Sequence, residues 1–542
     1  MLRFGKTRKQ GPFLRFDHKW HLEEFIGDVP HRSGSFSAKV REFKTGGQAV
    51  DGPAMDISGF CKITHLLDAY RMIQGNYPVA QHPALPSSGR KSAKVYGKLH
   101  DPHNQAYVDA VACYMLSKFR EADHSPHFSL FYGAYLGIAK QYYYNITDDF
   151  PDIRFEGWFW RRKSQGLFKL IGFNGDQPMD SDDELLESPG NISSGESDSD
   201  SGDNSETNSV SELHEFSGSA DPGTSGDSES LHSASIKTAE SEKSESSAET
   251  FSNSEDSEVS EELGQEVKIF AALAEFPTML IFLESNRATM DSLFDNEPEV
   301  GAALGTPEWE ARWSAWLFQV ICALCQIQSL WAMTHNDLHS NNILWVPTDK
   351  EFLYYKTSDG RAWRVPTFGK VFRIIDFGRA IFTHNSTLCI SDDYWPENEA
   401  GDQYNFGPLY DPTKPRVYPN PSFDLSRLSV SIIEALFDDI PEDKASSGEP
   451  RILSRESGRT QRETVSDLYN VLWEWLIDED GRNILWDTDN SERYPGFDLY
   501  NVIAQKVKGA VPREQLEKAP FSGFIVSAES VPAGEKVYSL FC

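Results

Sequence analysis

An α+β fold is predicted, strand-rich in its first part, mainly helical in its second, and interrupted by a long acidic insertion. Three observations carry this. Runs rich in β-branched and aromatic residues, such as 127–133 and 276–284, gather before residue 295. Further on, apolar residues recur with the 3.6 period of a helix, longest over 307–331. Between those two strand runs, 181–263 holds 25 Ser, 23 Asp or Glu and 2 Lys.

The chain opens with a basic tail, 1–19. Its first fifteen residues carry five Lys or Arg and no acid, and they lack the apolar centre of a secretion signal. A transit peptide would share the charge but not the scarcity of Ser, so a solvated tail is expected. The first strand-rich part spans 20–180. Ser33-Gly34-Ser35-Phe36-Ser37-Ala38-Lys39-Val40 sets small residues ahead of a strand, as a phosphate-approaching loop or an ordinary turn would. Ser92-Ala93-Lys94-Val95-Tyr96 reads as a strand with a central lysine, and Lys98 stands four residues on. A helix follows over 106–119, with Val108, Val111, Ala112, Met115 and Phe119 apolar and Asp109 its early carboxylate.

The insertion 181–263 cannot bury enough apolar surface to offset its ordering entropy, so disorder is expected there. It carries −21 of the formal charge of −32, leaving −11 for the rest. Ser193, Ser197 and Ser252 each have a carboxylate three residues on. That arrangement suits multisite phosphorylation and equally an inert tether. Basic proteins fit such a segment as partners; nucleic acid does not, since phosphate backbones demand a basic face.

From 264 to 295 the strand pattern returns over 276–284, ends at Glu284 and gives way to a short helix start over 288–294. The helix-rich part covers 296–530. Thr306, Pro307, Glu308 and Glu310 form the N-cap, first position and acidic first turn of a long core helix. Cys322 and Cys325 lie inside it without a second pair or a His cluster, which reads as two half-buried helix cysteines. Six scattered cysteines point to a reducing compartment, the cytoplasm or nucleus. Runs 343–346 and 371–375 read as buried strands, and 352–365 as a hairpin turning at Asp359-Gly360. A helix opens at 420–428 with Asp424 in its first turn, and 531–542 is left as a C-terminal tail. No run of about eighteen apolar residues occurs, so no membrane span is expected.

Chemistry concentrates in two places. His335-Asn336-Asp337-Leu338-His339-Ser340-Asn341-Asn342 has the spacing H-x-D-x-x-x-x-N, and Phe372-Arg373-Ile374-Ile375-Asp376-Phe377-Gly378 follows. Phosphoryl transfer needs one carboxylate to orient the acceptor hydroxyl. It also needs a carboxamide and a second carboxylate to hold the metal on the phosphates. Asp337, Asn342 and Asp376 supply those groups in that order.

In these motifs the sequence resembles the protein-kinase-like superfamily. The hairpin, the run Ile374 to Ala380 and the helix start Pro421 to Leu428 are similar to serine/threonine-kinase-like proteins of large DNA viruses and protists, over roughly 90–180 and 265–525. The resemblance implies a bilobal fold, with a small mostly antiparallel β lobe and a larger mainly helical one, and ATP with Mg²⁺ as cofactors. It implies that Lys94 or Lys98 pairs the phosphates with Asp109 as acidic partner, and that Gly34 approaches them. Adenine would contact backbone near Leu283 to Asn286, Glu284 included. Asp337 would act on the acceptor, Asn342 and Asp376 would hold the metal, and Asp424 would hold the catalytic-loop backbone. His335 would pack and hydrogen-bond that loop.

The pattern also departs from the family's. No G-x-G-x-x-G or A-P-E run occurs; Asn336 stands where regulated protein kinases carry Arg, and His339 where protein-serine kinases carry Lys. H-N-D-L is found too in choline-kinase-like and aminoglycoside-phosphotransferase-like enzymes. The expectation is a protein Ser/Thr kinase. A small-molecule kinase, or a kinase-like scaffold of weak catalysis, is the alternative.

Overall fold

The computed structural model describes residues 16–27, 33–44, 48–50, 52–77, 85, 97–174, 177–179, 186–188, 267–444, 451–456, 459–487 and 491–542. Residues 1–15, Lys94, and the acidic insertion except for 186–188 lie outside them. The architecture is mixed α+β, a curled antiparallel sheet followed by helices and smaller sheets.

The sheet is built from β1 (Trp20–Phe25), β2 (Gly34–Lys44), β3 (Met55–His65), β4 (Phe131–Asn145), β5 (Lys169–Asn174) and β6 (Val267–Glu284), with two short additions. β6 is its spine. Thr278 to Glu284 pair with β3 and Val267 to Ala272 with β5. β4 runs along nearly the whole of β6 and so takes its other edge. In β2, Phe36, Ala38 and Val40 alternate inward, as a half-buried strand requires. The Phe36 ring lies over Gly59 of β3, where a Cβ would come within 2.4 Å of it. Only glycine fits that crossing.

The helix α1 (Gln105–Glu121) packs on this sheet. Its cap, Asn104, accepts the Ala106 N–H and donates Nδ2 to Leu66 O at 2.8 Å. The helix start is thereby tied to the chain leaving β3. At the far end, Ser117 Oγ accepts the Phe131 N–H at 2.9 Å and Arg120 donates to Phe128 O, which sets the helix against β4.

The helical part centres on α2 (Pro307–Trp331), capped by Thr306, which accepts the Trp309 N–H as its sequence predicts. By length and composition α2 could cross a membrane, yet 83% of its most apolar stretch is buried inside the protein. Trp313 and Trp316 are fully buried. So is Gln319, which donates to Lys370 O and accepts the Phe372 N–H, knitting α2 to a strand edge. That strand, β10 (Lys370–Ile374), pairs antiparallel with β7 (Ile343–Pro347). Between them β8 (Phe352–Lys356) and β9 (Ala362–Pro366) form the expected hairpin. α3 (Phe423–Leu436), α4 (Asp467–Trp475) and α5 (Asp498–Lys506) complete the helices used below.

Three local expectations change. The run 531–542 is not merely a tail: β11 (Val537–Ser539) pairs parallel with β8. Strand geometry begins at Phe131, not at 127, because His127 is buried between the two parts. Its ring bonds Phe372 O and the Tyr355 hydroxyl, each at 2.8 Å. The 288–294 run is a two-residue strand paired to β7 and one 3₁₀ turn. A continuous buried cluster joins the sheet, α1, α2 and the later helices.

Candidate functional site

Two antiparallel partners present the core of the site. β10 leads into Ile375 and Asp376, and the loop 335–342 leads into β7, so the β7–β10 ladder fixes one motif beside the other. Ile375 N–H donates to Asn342 O at 3.0 Å, and the His335 ring bonds Ile375 O at 2.8 Å. His335 is wholly buried and joins the two motifs, in keeping with a structural part.

Asp424, on the first turn of α3, sits beneath the loop. It accepts the His335 N–H at 3.0 Å and the Asn336 N–H at 2.9 Å. Asn336 adopts a left-handed backbone, φ 63°, which Asn tolerates better than most residues. Its amide donates to Thr334 Oγ1 and to Arg379 O, and its Oδ1 accepts the Tyr404 hydroxyl at 2.6 Å. The Asp402-Gln403-Tyr404-Asn405 stretch, unreadable in sequence, thus braces the loop.

Asn342 Nδ2 donates to Asp337 O and lies 2.9 Å from His339 Nε2. That fixes which end of the amide is nitrogen and leaves Oδ1 as a free-facing acceptor among the described residues. Asp376 also has a left-handed backbone, φ 63°, which aspartate, like asparagine, adopts more readily than most residues. Burial opposes ionisation of Asp337, but Arg379, then His339, Arg427 and His335, outweigh it and hold the carboxyl below its usual range. Burial also holds the His339 ring below its ordinary value.

The lysine facing this set is Lys62, at the middle of β3. Its Nζ lies 2.8 Å from Asp109 Oδ2 and 2.8 Å from Asp376 Oδ1. Burial works against the ammonium, yet the two carboxylates more than compensate and raise it. Asp109 is buried and also accepts the Phe377 N–H through Oδ1 at 3.0 Å. A short aspartate suffices here because Asn104 draws the start of α1 up to β3.

The lysine that meets Asp109 is thus Lys62, on β3. Lys94 lies outside the described residues, and Lys98 pairs instead with Asp392 at 3.1 Å. Gly34 belongs to strand β2, opposite Cys61 and so next to Lys62 in register. It is not in a loop; the β1–β2 connection falls largely outside the described residues. Glu284 turns its carboxylate onto Arg120 and Arg373, and its N–H donates to Leu130 O. Neither is left for a ligand, so Glu284 is a brace at the sheet's exit. Cys322 and Cys325 form no disulfide and are fully rather than half buried, because α2 runs through the core.

Sequence reasoning missed Lys62, although Phe60-Cys61-Lys62-Ile63-Thr64 is a short strand-type run around a lysine, while 86–96 is dense in Pro, Ser and Gly. It also missed Arg379. This buried guanidinium bonds Asp393 at 2.8 Å and Glu399, and stands 3.9 Å from Asp337 Oδ1. Burial works against its charge, and Asp393, Asp337 and Glu399 overcome that. The segment after Asp376 is thus tied down by carboxylates of the chain itself.

Among the described residues no cluster of three or more His, Cys, Asp or Glu forms a metal cage. Asn342 and Asp376 offer a carboxamide and a carboxylate oxygen, hard donors of the kind Mg²⁺ shares with substrate phosphates. A separate groove of about 500 Å³, lined by Arg451, Glu463, Asp467 and Glu474 among others, contains none of these residues. No protein-family model matches the chain, and no curated protein matches it.

Proposed function

We propose that this chain is an ATP-dependent phosphotransferase of bilobal, protein-kinase-like architecture, moving the γ-phosphoryl group to a hydroxyl of a protein Ser or Thr. The observation that carries the reading is Lys62, set 2.8 Å from both Asp109 and Asp376 beside the Asp337–Asn342 loop. A buried lysine held between two carboxylates is costly to keep. It becomes useful when phosphate oxygens arrive to share it.

In this reading Lys62 gives its ammonium to the nucleotide phosphates while Asp109 keeps it oriented. Asn342 and Asp376 would hold Mg²⁺, which when bound would neutralise charge on the phosphates. Asp337, kept ionised by its cationic neighbours, accepts a hydrogen bond from the acceptor hydroxyl. As that oxygen forms its bond to phosphorus, the bond to the β-phosphate oxygen breaks and the hydroxyl proton passes to Asp337. Arg379, already paired with Asp393 and Glu399, orders the segment after Asp376 without a phosphate. The acidic insertion would recruit basic proteins.

Asp376→Asn removes the metal-facing charge but keeps a hydrogen-bonding isostere. It should lower phosphoryl transfer by on the order of 10³-fold or more and abolish Mg²⁺-dependent thermal stabilisation by ATP, with the fold retained. Unchanged turnover in the folded variant would remove the assignment. Labelled ATP offered with a generic basic protein and with a metabolite pool separates a protein acceptor from a small-molecule one. No transfer to either, with Mg²⁺–ATP still bound, would favour the scaffold.

A further inference from the structure

Tyr500 of α5 reaches across to the loop, and its hydroxyl lies 2.9 Å from Asp337 Oδ1. Arg427 Nε, on α3, lies 2.9 Å from the same phenol oxygen. A guanidinium can only donate. The phenol oxygen therefore accepts from Arg427, and its one proton is directed at Asp337. The ring is held as firmly as the hydroxyl. It stacks on Phe497 with centroids 4.8 Å apart and planes at 11°, and the guanidinium of Arg427 lies 5.2 Å from its centre. Arg379 covers Phe497 and Tyr500 from the other motif, 5.6 and 5.9 Å from their centres.

These contacts are one-sided. Tyr500 and Arg379 both address Oδ1 of Asp337, and no described residue hydrogen-bonds Oδ2. We infer that Tyr500, aimed by Arg427, is a positioning residue for Asp337: it fixes Oδ1 so that Oδ2 is the oxygen that meets the acceptor hydroxyl. The inference rests on the phosphotransferase reading and adds to it the device that holds the base. A carboxylate on a single side chain has free rotation about its last bond unless one oxygen is pinned. Transfer in line with the β-phosphate tolerates little misplacement, about an ångström costing on the order of 10²-fold. Two other roles compete. The phenol could occupy the acceptor's own place until displaced, or it could be the acceptor. Displacement would have to break the Phe497 stack as well as the hydrogen bond, which favours a phenol that stays.

Tyr500→Phe keeps the ring and removes only the hydroxyl. Turnover should fall about 10- to 100-fold, while KM for ATP changes less than about twofold, since nothing on the nucleotide side is touched. 4-Aminophenylalanine at position 500 restores an N–H donor and should recover most of the loss. Independently of turnover, a crystal structure of Tyr500→Phe should show Asp337 rotated or in two conformers relative to the unsubstituted protein. An unmoved Asp337 with unchanged turnover overturns the inference. So does faster turnover, which would make the phenol a block, or ³²P found on Tyr500, which would make it the acceptor. If the unsubstituted protein transfers no phosphoryl group at all, it is the phosphotransferase reading that falls. The Asp337 conformers then still decide whether Tyr500 positions it.

Discussion

The helical side of the site and its sheet side are held by different means. On the helical side, Asp337, Asn342 and Asp376 stand on backbone that is itself hydrogen-bonded, to Asp424, to the His335 ring and between β7 and β10. On the sheet side, Lys62 comes from a regular ladder, opposite Ile281, and only its ion pairs with Asp109 and Asp376 tie its ammonium to the loop side. A loop that must hold three groups in fixed relation needs particular residues at particular spacing. A strand that must present one ammonium needs only a lysine facing the right way.

The sharpest way to break this comparison is at Lys62. Lys62→Met should lower kcat/KM by on the order of 10²- to 10³-fold, whereas Lys94→Met and Lys98→Met should cost about tenfold or less in the same assay. A reversed ranking would overturn the proposed role of Lys62. On the helical side, Asp424→Ala leaves the His335 and Asn336 N–H groups buried without an acceptor, at a cost of about 2–5 kcal/mol. Urea unfolding would measure it, and an effect below about 1 kcal/mol would mean that the loop does not depend on α3.

A third test lies where the two sides meet. Burial lowers the His127 ring to about 4 from 6.5. The folded protein therefore prefers the neutral ring. The stability this represents is complete above pH 6.5 and is lost as pH falls toward 4, amounting to about 3 kcal/mol. Melting temperature should drop over that window by less in His127→Gln than in the unsubstituted protein. Equal drops would place the acid sensitivity elsewhere. The smallest effect is expected at the insertion. The strands on either side of it, β5 and β6, are paired in register at Asn174 and Val267. A short Gly/Ser linker in place of 181–263 should change stability by about 1 kcal/mol or less, since loop closure varies by about 0.6 kcal/mol per doubling of length. Loss of nucleotide binding in that variant would give the insertion a part in the site.

What could be read in advance follows the same division. The α2 cap at Thr306, the β8–β9 hairpin, α3 and its Asp424 were legible because each is written in consecutive residues. Asp109 was legible only as an early carboxylate on a helix; that it suffices depends on Asn104 and Leu66, a contact no local pattern encodes. Lys62, Arg379 and Tyr500 were not legible. Each acts on a group far away in sequence, Tyr500 on Asp337 and Lys62 on Asp376, and spacing says nothing about such pairs. Gly34 and Glu284 show the converse. Their local setting suited a ligand, but strand pairing and two arginines had prior claim on them.

The parallel strand β11 has a consequence for how the chain is made. β8 is synthesised long before Val537–Ser539, its neighbour in the sheet. At roughly 5–20 residues per second the interval is on the order of ten seconds or more. Throughout it the nascent protein carries β8 with that edge bare, and unpaired strand edges are where nascent chains aggregate. A released chain truncated after Lys536 should therefore bind chaperones more than one that carries Val537–Ser539.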